Sequence, residues 1–280
     1  MTGVTDGSPR IAFTRHGDRG PRVLMIMGMG MRGRVWRPQV EELSRDHRLV
    51  TFDNRGVGDS EEAPGAWGMK DMAGDALRVM DAAGWDRAHV VGVSMGGMIA
   101  QELALAAPSR VTSLTLIATH AGGPSSRVPP LRGVRGFLQV NLLPPEERHH
   151  ALAYLLYPAD YLRVADRAAM ARRMEEQLGS RPSPRTRLGQ LRAVMTHDTR
   201  SRLASLRMPV QTIRAGRDGL VSPREQARLA SLVPGDDDVL YDFAGHGLIF
   251  QCARAINARL RRWFAAHETA SVSMSSHGSV

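Results

Sequence analysis

The sequence contains a serine within the motif GVSMG at residues 92–96, which has the pattern G-x-S-x-G. The apolar run HVVGVS leads into this motif, and the helix-forming run MGGMIAQELALAA follows its serine. A serine in a sharp strand-to-helix turn projects its hydroxyl outward, and flanking glycines let the strand and the helix approach closely. We therefore predict that Ser94 is a nucleophile for acyl transfer.

A serine hydroxyl is a weak nucleophile, so it requires a general base and a group that orients the base. His246 follows the predicted strand DVLYDFA, and Asp218 follows the predicted strand PVQTI. The carboxyl ends of parallel strands meet at one edge of a sheet, where such sheets place their ligands. We predict that His246 is the base and that Asp218 orients it, and we interpret Asp198 and Asp242 as structural.

The developing oxyanion requires two backbone N–H donors. We predict that Met95, directly after the serine, supplies one donor, and that Met29, in the loop after the strand VLMIM, supplies the other. Gly28 and Gly30 flank Met29 and allow that loop to turn its amides inward. A glycine-rich loop can also bind phosphate, but the sequence has neither G-x-G-x-x-G nor a Walker-type lysine, which argues against a nucleotide.

The substrate pocket is predicted to include Met27, Gly28 and His120, the last of which follows the predicted strand SLTLIAT. Methionine side chains pack flexibly, so Met29 and Met31 either fill the core or line an apolar acyl pocket. The histidines are scattered, and no H-E-x-x-H or C-x-x-C motif is present. We therefore predict no metal and no cofactor.

The composition predicts a soluble, cytoplasmic protein of 280 residues with one cysteine, Cys252, and hence no intrachain disulfide. No run approaches the roughly 18 apolar residues of a membrane helix, and the polar start MTGVTDGSPR lacks the apolar segment of a secretory signal. The net charge of +9 comes almost entirely from arginine, with Lys70 the only lysine. Because no nucleic-acid-binding motif accompanies this charge, we predict a small-molecule substrate and no nucleic-acid or membrane partner.

Short apolar runs alternate with amphipathic stretches, which is typical of an α/β fold with helices on both faces of a mostly parallel, doubly wound sheet. The predicted strands are residues 23–28, 48–53, 89–94, 113–119, 209–216 and 238–244, with residues 10–16 as an additional edge strand. The predicted helices are residues 35–45, 70–83, 95–107, 223–232 and 250–267. The turn DNRGVGDS after the second strand is interpreted as structural, with an internal contact between aspartate and arginine.

Residues 121–207 interrupt this alternation with helix-period segments, of which residues 160–178 are the clearest. We predict that this range is an inserted helical cap, that residues 1–120 and 208–267 form the core, and that residues 268–280 are a flexible tail. The cap holds 15 Arg against 7 Asp plus Glu. This excess suggests either a solvated helical face or an attraction for acidic groups remote from the reacting centre.

The motifs VLMIMGMG, TFDNRGVGDS, GVSMGGMIAQELA, AGRDGLVSP and GHG resemble, in order and spacing, the α/β-hydrolase superfamily over about residues 10–265. Within it, the chain is similar to the bacterial enol-lactonase and methylesterase-like branch, which implies a cofactor-free serine hydrolase with a helical cap. Many relatives have His-Gly where this chain has Met27-Gly28. The oxyanion donor is a backbone amide, so this departure alters the pocket wall rather than the mechanism.

The predicted reaction is hydrolysis of a carboxylic ester or lactone through a Ser-His-Asp triad and an acyl-enzyme. Ser94 argues against relatives that use aspartate at this position, such as dehalogenases and epoxide hydrolases. Three alternatives remain open. The first is a C–C bond hydrolase, the second is a methylesterase or thioesterase that tailors a bulky metabolite, and the third is a ligand-binding module with a vestigial triad.

Overall fold

The computed structural model describes residues 1–127, 130–178 and 181–268. Within these residues eight strands form one sheet, β1 (Thr2–Val4), β2 (Ala12–His16), β3 (Arg22–Ile26), β4 (Arg48–Phe52), β5 (Ala88–Val93), β6 (Val111–Ile117), β7 (Val210–Ala215) and β8 (Val239–Tyr241). Their order across the sheet is β1-β2-β4-β3-β5-β6-β7-β8. The pairs β1–β2 and β2–β4 are antiparallel, and the other five pairs are parallel.

Helices cover both faces of this sheet, which confirms the predicted fold class. On one face lie α2 (Met69–Ala82), α3 (Met95–Ala106) and α9 (Pro223–Leu232), and on the other lie α1 (Arg37–Leu43), α10 (Leu248–Gln251) and α11 (Ala253–Glu268). Successive strand residues point to opposite faces, so Leu24 of β3 packs with the first group and Met25 with the second. Burial on both faces explains why the central strands are nearly continuous apolar runs. Among the helices of the described ranges, none has both the length and the apolarity to span a lipid bilayer.

Five helices lie between β6 and β7. They are α4 (Leu131–Leu142), α5 (Pro145–Leu156), α6 (Ala159–Val164), α7 (Arg167–Leu178) and α8 (Pro184–Thr196). A backbone bridge between Gly122 and Asp198 joins the two ends of this segment. The division of the chain into a core and a separate cap stays a prediction.

The prediction of one helix over residues 160–178 is wrong, because α6 and α7 are separate helices. Asp166, between them, accepts a hydrogen bond from the Ala169 N–H at 3.0 Å, as an N-cap residue does. The next helix, α8, begins at Pro184. There Ser183 accepts a hydrogen bond from the Thr186 N–H at 3.1 Å.

Three further expectations are corrected at the periphery. Residues 10–16 do not form the edge, because β1 pairs outside β2 with Thr2 opposite Thr14. The turn after β4 has no internal ion pair for Arg55, whose Nε instead lies 2.6 Å from Asp75 Oδ2 on α2. Glu268, which the prediction assigned to the flexible tail, instead ends α11, and its Oε2 lies 2.9 Å from His89 Nε2. The remainder of that tail, residues 269–280, lies outside the described residues.

Candidate active site

Ser94 lies in the turn between β5 and α3, with φ of 56° and ψ of −124°. A positive φ is strained for a residue with a side chain, and it persists only where the surroundings hold it. The Ser94 N–H donates to Ile117 O at 2.9 Å, and its carbonyl oxygen accepts from the Thr119 hydroxyl at 2.7 Å. Both contacts come from the end of the neighbouring strand β6, so the sheet itself holds the serine in this conformation.

Three glycines allow close approaches around this turn. A Cβ at Gly92 would lie 2.3 Å from Gly96 O, and a Cβ at Gly96 would lie 2.1 Å from Ile26 O, so neither position accepts a side chain. This packing agrees with the role predicted for the two glycines of the motif. Gly28 lies against the serine, because a Cβ there would be 3.3 Å from Ser94 Cβ and 3.7 Å from its Oγ.

His246 and Asp218 meet at the carboxyl ends of β8 and β7, with 2.7 Å between His246 Nδ1 and Asp218 Oδ2. The Asp218 side chain is fully buried, and that of His246 is 9% exposed. Asp218 Oδ1 accepts from the backbone N–H groups of Leu220 at 2.8 Å and Val221 at 2.9 Å, and Oδ2 also accepts from Gln226 Nε2 at 2.9 Å. Asp218 Oδ2 is thus placed to accept a hydrogen bond from a proton on His246 Nδ1, which leaves Nε2 as the nitrogen with a free lone pair.

Gln226 is a supporting residue that the sequence interpretation missed. Besides contacting Asp218, its Oε1 accepts from the Ala215 N–H at 2.9 Å and its Nε2 donates to Val221 O at 2.9 Å. It therefore connects the end of β7 to the loop that carries the aspartate. A signal was present, because Gln226 lies three residues before the buried Leu229 on the apolar stripe of α9, where a polar residue is unusual.

The loop after β3 is held from two sides. On the sheet side, Asn54 Nδ2 donates to Met27 O at 2.9 Å. On the other side, the Gly30 N–H donates to Oε1 of Gln190 on α8 at 2.8 Å. Gln190 is fully buried, and the sequence interpretation did not include it. The loop predicted to stabilise the oxyanion is thus attached to a helix of the segment between β6 and β7.

The methionines near this loop occupy different environments. Met95 is the first residue of α3, so its N–H is one of the amides left unpaired by the helix itself. Met27 is buried on the α1–α11 side, and Met31 packs against the same cluster. Met29 instead packs against the cluster on the α2–α3 side, so Met29 and Met31 do not belong to one apolar cluster.

His120, predicted to lie in the pocket, is 5% exposed and follows the end of β6. Its Nδ1 accepts a hydrogen bond from the Gly122 N–H at 2.9 Å, so the ring proton of the neutral form resides on Nε2. Burial lowers the pKa of His120 to about 4, a shift that the charge of Asp218 opposes and that of His246 increases. His120 is therefore neutral near pH 7 and lies within the electrostatic range of the acid–base pair.

A surface depression of about 590 Å³ lies beside Asp218. Its charged lining residues are Arg132, Arg163, Arg217, Asp160 and Asp218. Arg217 forms an ion pair with Asp160, and Arg132 donates to two backbone carbonyl oxygens of the α5 end. Neither Ser94 nor His246 is among the residues that line this depression.

Other reactive groups in the described part of the chain form no second centre. Cys252 is buried, and burial raises the pKa of its thiol to about 11, so the thiol stays protonated near pH 7. Cys252 belongs to the apolar cluster on the α1–α11 side of the sheet. Within the described ranges, His, Cys, Asp and Glu side chains form no group of three or more that could hold a metal ion.

Comparison with known proteins identifies the family. A family model described as "alpha/beta hydrolase fold" matches residues 21–251. A protein of Azorhizobium caulinodans named "Putative carbamate hydrolase RutD" is 34% identical over 243 residues, which cover 86% of this chain and 89% of the relative. A protein of the same name from Caulobacter vibrioides is 32% identical, covering 85% and 88%.

Solved structures share the fold over nearly the whole chain. The enol-lactonase from Burkholderia xenovorans has a TM-score of 0.81 at 22% identity, covering 95% of this chain and 100% of that one. A Mycobacterium tuberculosis protein, "Putative non-heme bromoperoxidase BpoC", has a TM-score of 0.77 at 28% identity, covering 91% and 96%. The chain therefore belongs to the α/β-hydrolase family and is a hydrolase.

Proposed function

We propose that this protein is a serine hydrolase that cleaves a carboxylic ester or a lactone. The observation that carries the proposal is the 2.7 Å contact between His246 Nδ1 and Asp218 Oδ2, at the same sheet edge as a serine in a strained strand-to-helix turn. A base oriented by a buried carboxylate is the arrangement that activates a serine hydroxyl. None of these three groups is explained by packing alone.

In the first half of the reaction, Ser94 Oγ attacks the carbonyl carbon while His246 Nε2 removes the hydroxyl proton. Asp218 remains ionised and stabilises the imidazolium, because its oxygens already accept hydrogen bonds from Gln226 and two backbone amides. The amides of Met29 and Met95 bind the oxyanion of the tetrahedral intermediate. The intermediate collapses, the C–O bond breaks, and the alcohol leaves with the proton from His246.

In the second half, a water molecule attacks the acyl-enzyme and His246 Nε2 takes its proton. Collapse of the second tetrahedral intermediate releases the carboxylic acid and returns the proton to Ser94. A lactone follows the same course, except that its alcohol stays attached to the acyl group, so hydrolysis of the acyl-enzyme releases a single hydroxy acid. No cofactor is needed, because each proton and each electron pair passes between the triad, the substrate and water.

The substrate is small to medium-sized and mainly apolar around the scissile bond. Met27, Gly28 and His120 line the pocket, and the segment at residues 121–207 forms a helical cap over it. Gly28 has a direct consequence for the pocket, since any side chain there would approach Ser94 Oγ to about the distance of an ordinary van der Waals contact. The glycine therefore leaves room for the carbonyl group of the substrate.

A second candidate is hydrolysis of a carbamate. The observation that favours it is the name carried by relatives at 32–34% identity over most of the chain, "Putative carbamate hydrolase RutD". A carbamate presents a carbonyl to Ser94 as an ester does, but its amide-like resonance makes the carbonyl less electrophilic. The same triad would be required, so the two candidates differ in substrate preference rather than in mechanism.

The test is hydrolysis of a chain-length panel of p-nitrophenyl esters, simple lactones and matched alkyl carbamates by the wild type and by Ser94→Ala. The wild type is expected to hydrolyse esters or lactones, and loss of the nucleophile should lower kcat by as much as about 10⁶-fold. Ser231→Ala is the matched control, because Ser231 is exposed on α9 and bonds only to Arg228 O of its own helix. Preference for carbamates over matched esters would select the second candidate.

Two outcomes contradict the proposal. Turnover that survives in Ser94→Ala at the wild-type rate would exclude Ser94 as the nucleophile. Equal inactivity of both proteins would exclude hydrolysis of small esters, and bulky esters, thioesters and C–C substrates would then be assayed with the same pair of proteins.

A further inference from the structure

The chain after β6 is strained next to the nucleophile. Among the described residues, two that are not glycine have positive φ, Ser94 at 56° and Ala118 at 46°. They are neighbours, because Val93 of β5 pairs with Ile117 of β6 and each strained residue follows directly. The proposed role of Ser94 as the nucleophile explains why its backbone is strained. That role does not explain the strained backbone of Ala118. A backbone in this conformation persists only where the surroundings determine it, and it is concentrated at functional sites.

His120 follows this strained turn, and hydrogen bonds hold both its main chain and its ring. Its carbonyl oxygen accepts from Gln101 Nε2 at 3.1 Å, and Gln101 Oε1 accepts from the Thr199 hydroxyl at 2.5 Å. The ring is held by the Gly122 N–H at Nδ1. Gln101 and Thr199 are fully buried, so this support comes from the interior rather than from flexible surface groups.

The other ring nitrogen of His120 is available. Nε2 has no hydrogen-bond partner among the described residues, and it is not one of the buried polar atoms that solvent cannot reach. The neutral ring, whose pKa is lowered to about 4 by burial, presents an N–H there, and it responds to the charges of Asp218 and His246. The structure thus contains a fixed N–H donor that is not excluded from solvent, on a ring within electrostatic range of Asp218 and His246.

The ring nitrogens of two other buried histidines, His89 and His197, differ from those of His120 in hydrogen bonding and in access to solvent. His89 pairs at both nitrogens, with Ser113 Oγ at 2.7 Å and Glu268 Oε2 at 2.9 Å. His197 pairs at neither, but both of its ring nitrogens are excluded from solvent, so no ligand reaches them. His120 differs from both, because one nitrogen is used to orient the ring and the other is left accessible.

We propose that His120 is a specificity-determining residue whose Nε2–H donates a hydrogen bond to an oxygen atom of the bound substrate near the scissile bond. The inference rests on the proposed ester hydrolysis. A neutral donor selects ether, hydroxyl or carbonyl oxygens without requiring a negative charge. The favoured substrates are therefore esters with an additional oxygen in the acyl or the alcohol part, rather than plain hydrocarbon esters.

The test compares esters that differ only by one oxygen in place of one methylene. The acyl series is p-nitrophenyl pentanoate, ethoxyacetate and 3-methoxypropanoate, and the alcohol series is a pair of butyl and 2-methoxyethyl esters of one acid. For each pair the kcat/KM of the oxygen-containing ester is divided by that of the hydrocarbon ester. Intrinsic reactivity cancels when this ratio is compared between the wild type and a variant.

The informative variants are His120→Phe, which keeps a planar ring without nitrogens, and His120→Asn, whose Oδ1 can still accept from the Gly122 N–H. At one oxygen position or more, both variants should lower the ratio by about 5- to 10-fold, the effect of one neutral hydrogen bond. A loss common to both members of a pair cancels in the ratio, and the Tm of His120→Asn should match that of the wild type. His150→Phe, an exposed histidine of α5, is the matched control.

A merely structural role predicts a different result. If His120→Phe and His120→Asn lower kcat/KM equally for both members of every pair, the inference is overturned, even though the enzyme is an esterase. Inactivity of the wild type toward every ester is a separate result, visible without any variant. It would overturn the proposed function and the inference together.

Discussion

His197 should make the protein sensitive to acid. Its side chain is fully buried, neither ring nitrogen has a hydrogen-bond partner, and its Nδ1 lies 3.9 Å from Glu102 Oε1. That carboxylate is already engaged by Arg202, with contacts of 2.6 and 2.8 Å. Burial, together with the charges of His120 and Arg202, lowers the pKa of His197 to about 3, and Asp198 opposes the shift. The folded protein therefore keeps this histidine neutral.

The sign of the effect follows from the two pKa values. The unfolded chain binds a proton at His197 near the ordinary pKa of 6.5, whereas the folded chain does not until the pH approaches about 3. Between these values the unfolded state binds more protons, so the free energy of unfolding falls as the pH is lowered. From about pH 7 to about pH 5 the loss from this one residue is about 2 kcal/mol.

The measurement is urea unfolding of the wild type and of His197→Leu at about pH 7 and about pH 5. The wild type should lose about 2 kcal/mol more than the variant between these conditions. His120 is present in both proteins, so its own titration largely cancels, and His150→Leu serves as an exposed control that should behave as the wild type does. An identical pH dependence in the wild type and in His197→Leu would refute the reasoning.

Three further predictions concern contacts that support the site. Asp218→Asn should fold normally and lower kcat about 10⁴-fold in the ester assay, because the histidine tautomer is no longer maintained; a near-normal kcat would exclude Asp218 from the triad. Gln190→Leu removes the acceptor of the Gly30 N–H and should lower kcat with little change in KM. Gln190→Glu keeps an acceptor oxygen, so its kcat should fall less. Equal losses of kcat in the two variants would contradict a role of Gln190 in positioning the loop. Arg55→Met removes one buried partner of Asp75 and should lower the free energy of unfolding by about 3 kcal/mol in urea titrations. A change below about 1 kcal/mol would show that the remaining ion pair, between Asp75 and Arg78, is enough to stabilise the buried carboxylate.

The sequence could predict whatever local patterns determine. Five of the six main strands are apolar runs because helices cover both faces of the sheet, and they appear in the structure with shifts of one or two residues at their ends. The last, predicted over residues 238–244, is only the short strand Val239–Tyr241. The turn at Ser94 is equally local, since Gly92 and Gly96 are required by contacts within one strand-turn-helix unit and the adjoining strand. The proximity of His246 to Asp218 could be predicted because parallel strands end at one edge.

Other features depend on contacts that no local pattern contains. The Gly30–Gln190 hydrogen bond joins residues 160 positions apart, and a glutamine in an amphipathic helix carries no mark of such a partner. Arg55 has an aspartate nearby in its own turn, yet it pairs with Asp75 on α2, where both side chains are buried. β1 is a short strand whose own sequence does not indicate a strand. It is extended because it pairs with β2.

The supports of the proposed site divide between two parts of the molecule. The acid–base pair is held by Gln226 of α9 and by backbone amides of its own loop, all attached to β7. The loop after β3 is held partly by Gln190, which belongs to the helical segment between β6 and β7. A change that displaces α8 would therefore disturb the proposed oxyanion donor at Met29 while leaving the aspartate and histidine in place. Substitutions in α8 should thus weaken transition-state stabilisation without altering the contact between His246 and Asp218, because the two supports are attached to different elements.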